Sequence, residues 1–223
     1  MAINRPYGGP TELPRAIPLF PLEGALLLPR CQMPLNIFEP RYLAMVDAAL
    51  AGERVIGLIQ PIPALVTTAN PALQNVGCVG RITEFAESGD GRYLVTLTGI
   101  TRFRVVAEVE ADTPFRQGEV DYTAFEGDFT PGYGAEEVDR ATLLRTLAAY
   151  LDANKLEADW SSITEAPNEA LVNALAMMSP FGAREKQALL EAASLAARAD
   201  MLVAVTEMAM ARTGGAEGEG SLQ

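Results

Sequence analysis

Hydrophobic and polar positions change their period near the middle of the chain. From Ile17 to Phe125 the repeat is mostly two, which places alternate side chains on opposite faces of a strand. Phe103, Val105, Ala107 and Val109 alternate with Arg102, Arg104, Glu108 and Glu110, so the pattern predicts one face in a core and a solvated, mixed-charge face opposite. Upstream, residues 82–85 and 93–98 flank Glu87-Ser88-Gly89-Asp90-Gly91, whose glycines permit the positive φ of a tight hairpin turn. Val120, Tyr122 and Ala124 predict another half-buried strand after the break at Pro114. One helix interrupts this half. Pro40 suits its first turn, Leu43, Val46, Ala49 and Leu50 share one side, and Gly52 ends it.

The stretch 126–134, EGDFTPGYG, has no period and reads as a connection between two halves. Beyond it the period becomes helical. Leu144, Leu147, Ala148 and Leu151 form a one-sided stripe, and 171–178 is apolar nearly all round, as in a helix buried among others. Helices over about 183–191 and 195–212 complete a small bundle, the last capped by Ser194. The expected organisation is a flexible N-terminus over 1–13, a β-rich subdomain over 14–126 and a linker over 127–134. A helical bundle over 135–212 and a disordered tail over 213–223 follow.

Residues 17–50 carry a more specific signal: Pro18-Leu19-Phe20-Pro21-Leu22, then Pro29, then Pro34-Leu35 and Phe38-Glu39-Pro40-Arg41-Tyr42 at the helix start. Val76-Gly77-Cys78-Val79-Gly80-Arg81-Ile82, Asp90-Gly91-Arg92, Gly99-Ile100-Thr101-Arg102-Phe103-Arg104-Val105 and Lys186-Gln187-Ala188-Leu189-Leu190-Glu191 continue it. With these motifs, about Leu13 to Arg212 resembles the N-terminal domain of Lon proteases. The resemblance implies an α+β fold: a PUA-like β-rich subdomain of twisted sheets forming a pseudo-barrel with one helix, then an α-helical bundle. Strand order comes from that resemblance alone. It also implies a non-catalytic module that binds unfolded or partly folded polypeptide, as an adaptor passing clients to a separate protease or as a holding protein. The alternative is a small-molecule or effector-binding regulatory domain that uses a cleft between the two subdomains.

Composition narrows the chemistry. There is no histidine, which removes the commonest general base and metal ligand, and Cys31 and Cys78 offer only two of the four ligands of structural zinc. No metal or cofactor is expected. The two lysines, Lys155 and Lys186, belong to no phosphate-binding P-loop. Ser161 or Ser162 with Lys155, and Ser179 with Lys186, are the only nearby serine–lysine pairs, and each reads better as turn residues beside an exposed lysine. Glu136, Glu137 and Asp139 form the densest carboxylate cluster and read as helix-start charges.

A net charge of −12 argues against nucleic-acid and anionic-membrane partners. No apolar run approaches the roughly 20 residues of a bilayer span, and residues 1–15 do not read as a secretory signal, so a cytoplasmic location is expected. Cys31 and Cys78 read as reduced, partly buried thiols whose separation in space stays open. Phe38, Met201 and Met208 are the candidate polypeptide-binding residues, the methionines because flexible thioethers suit varied apolar partners. Pro18, Pro21, Pro34, Glu39, Pro40, Arg41, Tyr42, Gly99, Arg102 and Phe103 carry the family resemblance and are read as architectural.

Overall fold

The computed structural model describes residues 6–63 and 70–218, with side chains as far as 212. The chain divides into two compact units, Met1–Pro131 with Phe181–Leu190, and Gly132–Pro180 with Glu191–Gln223.

The first unit is β-rich. Its strands are β1 (Ala16–Pro21), β2 (Gln32–Ile37), β3 (Val55–Pro61), β4 (Leu73–Glu87), β5 (Tyr93–Val109) and β6 (Arg116–Asp121), with helix α1 (Pro40–Ala51) between β2 and β3. The sheet order is β2-β5-β4-β3-β1-β6, and β6 pairs again with β5. That second pairing closes β1, β3, β4, β5 and β6 into a barrel, and β2 lies outside it on the N-terminal half of β5. Among the described strands β1 and β3 alone run parallel, as the helical crossover α1 allows, and the other neighbours are antiparallel.

Closure buries the inward face. Ile17, Leu19, Val55, Ile59, Val79, Phe103, Val120 and Tyr122 form the barrel core together with Leu13. Phe103 is fully buried and its ring fills the space that side chains at Gly57 and Gly77 would take, since a Cβ at Gly77 would lie 2.4 Å from the ring. The β4–β5 hairpin predicted from the sequence is present, with Gly89 and Gly91 at φ 79° and 83° in its turn.

Two expectations about the ends of this unit change. Leu13 is buried, Tyr7 packs on the core and Arg81 lies over the Tyr7 ring at 4.3 Å, so residues 7–13 are anchored rather than flexible. At the other end, Thr123–Phe129 is a 3-10 segment packed against β5, so the expected linker over 127–134 is built into the β unit as far as Pro131. Apolar content drove both changes: Leu13, Phe125 and Phe129 each supply a side chain that the barrel buries or packs.

A third change concerns helix α5 (Ala183–Glu191), expected in the bundle. It clusters with the β unit. Gln60 Nε2 donates to the Ala183 carbonyl and to Gln187 Oε1, both at 3.1 Å, and Gln187 Nε2 donates to the Val76 carbonyl at 3.1 Å. Leu189 and Leu190 are buried beside these bonds. Helical period alone does not say which layer an amphipathic helix covers.

The second unit consists of α2 (Arg140–Ala153), α3 (Trp160–Glu165), α4 (Asn168–Met178) and α6 (Leu195–Gly218), with α2 and α4 both packed on α6. Side-chain caps start three of them. Asp139 accepts from the Thr142 N–H at 3.0 Å, Asp159 from Ser161 and Ser162, and Ser194 from the Ala197 N–H at 3.1 Å as the sequence predicted. Within the core Arg198 donates to Asn173 Oδ1 at 2.9 Å. Helix α4 is one-sided rather than buried all round, because Leu171, Val172 and Ala176 are covered while Met178 is 82% exposed at its end. Helix α6 runs past Arg212, its expected end, to Gly218, so the expected tail is helical there, and 219–223 lie outside the described residues.

Candidate functional site

The outer part of the β unit is a three-stranded ribbon in which β2, the N-terminal half of β5 and the C-terminal half of β4 continue past the barrel. The register runs Gln32↔Thr98 to Ile37↔Tyr93 on one side and Phe85↔Val95 to Glu87↔Tyr93 on the other. Inner positions such as Val95 and Leu97 are buried, but the ribbon end is apolar and open. Phe38 is 62% exposed, Leu94 49% and Phe85 38%. Because Leu94 stands opposite Asn36 and Ala86, whereas Phe85 stands opposite Val95, Leu94 and Phe85 occupy opposite faces of the ribbon. Phe85 meets the Tyr93 ring edge-on at 5.0 Å, and Asp47 of α1 holds the Tyr93 phenol above the usual range.

Strand β2 is the ribbon's edge. Gly99 donates its N–H to the Cys31 carbonyl at 2.9 Å, which sets the phase: Met33, Leu35 and Ile37 turn their backbone groups to β5, while Gln32, Pro34 and Asn36 turn theirs outward. Pro34 therefore sits at the middle outward position, where a missing N–H interrupts any further strand pairing.

The residues at the start of α1 are placed by packing. Glu39 is the N-cap but makes no capping bond; its carboxylate accepts from Arg41 Nε at 3.0 Å. The Arg41 guanidinium lies 4.5 Å above the Tyr42 ring, and Tyr42 packs against Phe20 of β1 at 4.6 Å. Pro18 and Pro21 lie in β1, and Pro40 opens α1. Gly99 lets β5 pass the Leu28 carbonyl, which a Cβ would approach to 2.1 Å.

Arg102 departs most from the sequence reading. It was expected on a solvated face and is instead 6% exposed. Asp128 of the 3-10 segment accepts from its Nε and Nη2 at 2.9 Å each and from its backbone N–H at 3.0 Å. Its Nη1 donates to the Leu190 carbonyl at 3.1 Å, and the guanidinium stacks on Phe125 at 4.5 Å. Beside this pair a cleft of about 320 Å³ is lined by Tyr7, Arg30, Arg81, Ile100 and Phe129.

The three candidate binding residues are divided between the two units. Phe38 belongs to the β unit, whereas Met201 and Met208 belong to the helical unit, seven residues apart on one side of α6, the first half-buried and the second 54% exposed. Phe85 and Leu94 were missed as partners of Phe38. Their signal was the apolar pair flanking the hairpin turn, and only strand register brings them to the ribbon end.

The serines considered for nucleophilic chemistry have other roles. Ser161 and Ser162 donate their hydroxyls to Asp159 at 2.7 and 2.6 Å, and these bonds hold the Asp159 carboxyl down at about 2. Asp139 likewise serves α2, its carboxyl lowered by Thr142. Among the described residues no three His, Cys, Asp or Glu side chains gather as a metal-binding set, and no helix is long and apolar enough to cross a membrane. Cys31 and Cys78 are thiols, half-buried and buried respectively.

Known proteins place this architecture. The N-terminal domain of Lon protease from the Mycobacterium avium complex superposes with a TM-score of 0.63 at 18% identity, covering 86% of this chain and 98% of that one. The Lon N-terminal domain protein from Xanthomonas campestris gives 0.54 at 25% identity, covering 85% and 97%. Lon protease 2 of Myxococcus xanthus is 28% identical over 111 residues, 49% of this chain but only 13% of that protein's length. The family described as the ATP-dependent protease La (LON) substrate-binding domain matches residues 16–206, and with the barrel and the Lon N-terminal architecture in agreement the chain belongs to that family.

Proposed function

We propose that this domain is a non-catalytic module that binds unfolded or partly folded polypeptide at the end of the β2–β5–β4 ribbon and delivers it to a separate protease. One observation carries the reading: Phe38, Phe85 and Leu94 expose large apolar surface together at a ribbon end, on both of its faces. Isolated apolar side chains are ordinary on a surface, but here Phe85 on one face, Leu94 on the other and Phe38 just past β2 leave the ribbon end open to apolar contact. Membership of a substrate-binding family supports the same class of ligand. Met208 supplies a second, smaller apolar position on the helical unit, with Met201 beneath it on the same side of α6.

The test is fluorescence anisotropy of a labelled, permanently unfolded polypeptide titrated with the domain at two salt concentrations. Saturable binding that survives higher salt is expected, weakened at least about tenfold in a Phe38→Ser, Phe85→Ser, Leu94→Ser variant that keeps its thermal transition, since losing about 1.4 kcal/mol of apolar contact is tenfold in affinity. Absence of binding, or full binding by that variant, overturns the proposal. Met201→Ser and Met208→Ser measured separately show whether α6 takes part.

A further inference from the structure

Tyr42 and Tyr122 are both largely buried tyrosines of the β unit, and they differ at their hydroxyls. Tyr122 donates its hydroxyl to the Pro14 carbonyl at 2.8 Å. Tyr42 is 8% exposed, held between Phe20 and the Arg41 guanidinium, and its hydroxyl has no hydrogen bond among the described residues. A phenol whose hydroxyl keeps contact with solvent can offer it to a ligand as a donor. This one lines a cleft of about 290 Å³, together with Arg41, Arg116, Phe115, Glu23, Asn70 and four prolines.

From the contents of that cleft we propose that it is a binding site for a carboxylate carried on an apolar body, with the Tyr42 hydroxyl and the Arg41 and Arg116 guanidiniums meeting the carboxylate and Phe115 and the prolines meeting the body. Burial pushes the Tyr42 phenol up, so at neutral pH it is a proton donor and seeks an acceptor. Arg41 and Arg116 act on its oxygen to lower the phenol and Glu39 to raise it, with burial the larger effect.

Each arginine also has a glutamate: Arg41 holds Glu39, and Arg116 holds Glu108 through Nε at 2.8 Å and gives Nη1 to the Pro71 carbonyl at 2.7 Å. Those bonds fix the guanidiniums in place and temper their charge. Glu23 stands in the same lining and its charge opposes a dianion, so a monoanionic carboxylate fits better than phosphate. The site uses none of Phe38, Phe85 and Leu94 and goes beyond the polypeptide-binding reading.

The experiment is an NMR titration of the full chain with N-acetyl-phenylalanine, its C-terminal amide, and acetyl-Gly-Gly-Phe as the free acid, following the amides of Phe115 and Arg116. Saturable shifts with the acid, at least about tenfold weaker with the amide, are expected, as a hydrogen bond to a charged group contributes about 1.5–3 kcal/mol. Tyr42→Phe removes only a hydroxyl that has no hydrogen bond among the described residues, so it keeps the thermal transition and loses about tenfold in affinity for the acid. Equal binding of acid and amide, or unchanged affinity in Tyr42→Phe, overturns the proposal. A tripeptide acid tighter than N-acetyl-phenylalanine identifies a polypeptide C-terminus as the source, and no gain identifies a small free carboxylate. Carboxylate binding is read in the Phe38→Ser variant as well, so failure of the ribbon-end reading leaves this result standing, and the reverse.

Discussion

Arg102 and Asp128 form a two-pronged ion pair, Nε to Oδ2 and Nη2 to Oδ1 at 2.9 Å each, with side chains only 7% and 11% exposed. The same arginine holds the Leu190 carbonyl, so one side chain fixes the 3-10 segment and the last turn of α5 onto β5. These two attachments lie beside Pro131 and Leu190, where the chain passes from one unit to the other.

Removing one partner of such a pair leaves an uncompensated buried charge, which costs about 3–5 kcal/mol. Asp128→Ala is therefore expected to lower unfolding stability by about that amount, whereas a double replacement by Arg102→Met and Asp128→Leu recovers most of it. Urea unfolding of the three variants checks this, and the double variant losing as much as the single one would refute the ion-pair account.

Gly99 and Gly77 permit close approaches that no side chain can share. A Cβ at Gly99 meets the Leu28 carbonyl oxygen at 2.1 Å, and one at Gly77 meets the Phe103 ring at 2.4 Å and the Leu58 carbonyl at 2.6 Å. Backbone must move in each case, so Gly99→Ala and Gly77→Ala are expected to cost about 1–3 kcal/mol or more, while Gly9→Ala, which meets nothing within 4 Å, serves as the mild control. Thermal denaturation ranks them.

Pro34 occupies the middle outward backbone position of an edge strand. Pro34→Val restores an N–H and a β-branched side chain there, and concentration-dependent self-association through β2 is the expected result. Sedimentation velocity over a hundredfold range of concentration distinguishes this from a purely monomeric variant.

The Asp159 cap makes the start of α3 sensitive to acid. Its carboxyl lies at about 2 against an ordinary 3.8 because Ser162 and Ser161 hydrogen-bond the charged form. A lowered folded value means that the stabilisation is present above about 3.8 and lost as pH falls through about 2. Helical content reported by α3 should therefore decline across that window in the parent chain, and Asp159→Ala should lack the step because its α3 is already uncapped. Circular dichroism titration of the two proteins reads the difference.

Much of the fold was legible in local pattern. Period two marked the barrel strands, Gly89 and Gly91 marked the hairpin, Pro40 and Gly52 bracketed α1, and Ser194 capped α6, because each depends on residues within a few positions of one another. Phe38 was named as a candidate from the sequence, and the structure leaves it 62% exposed.

What local pattern missed has one physical cause. Alternation along β5 gives Arg102 a face, but not what covers that face: Asp128 arrives from 26 positions away and the Leu190 carbonyl from 88. The helical period of α5 showed a one-sided helix, yet only Gln60 and Val76, more than a hundred residues distant, place it on the barrel. The placing of Phe38, Phe85 and Leu94 toward one ribbon end, and the cleft beside Tyr42, are likewise products of register and closure. By itself the sequence determined the two periods, the turns, the caps and the family resemblance, all of them short-range. Tertiary structure alone decided which polar groups were buried in pairs and which apolar ones were left exposed, since burial depends on the long-range contacts that close the barrel.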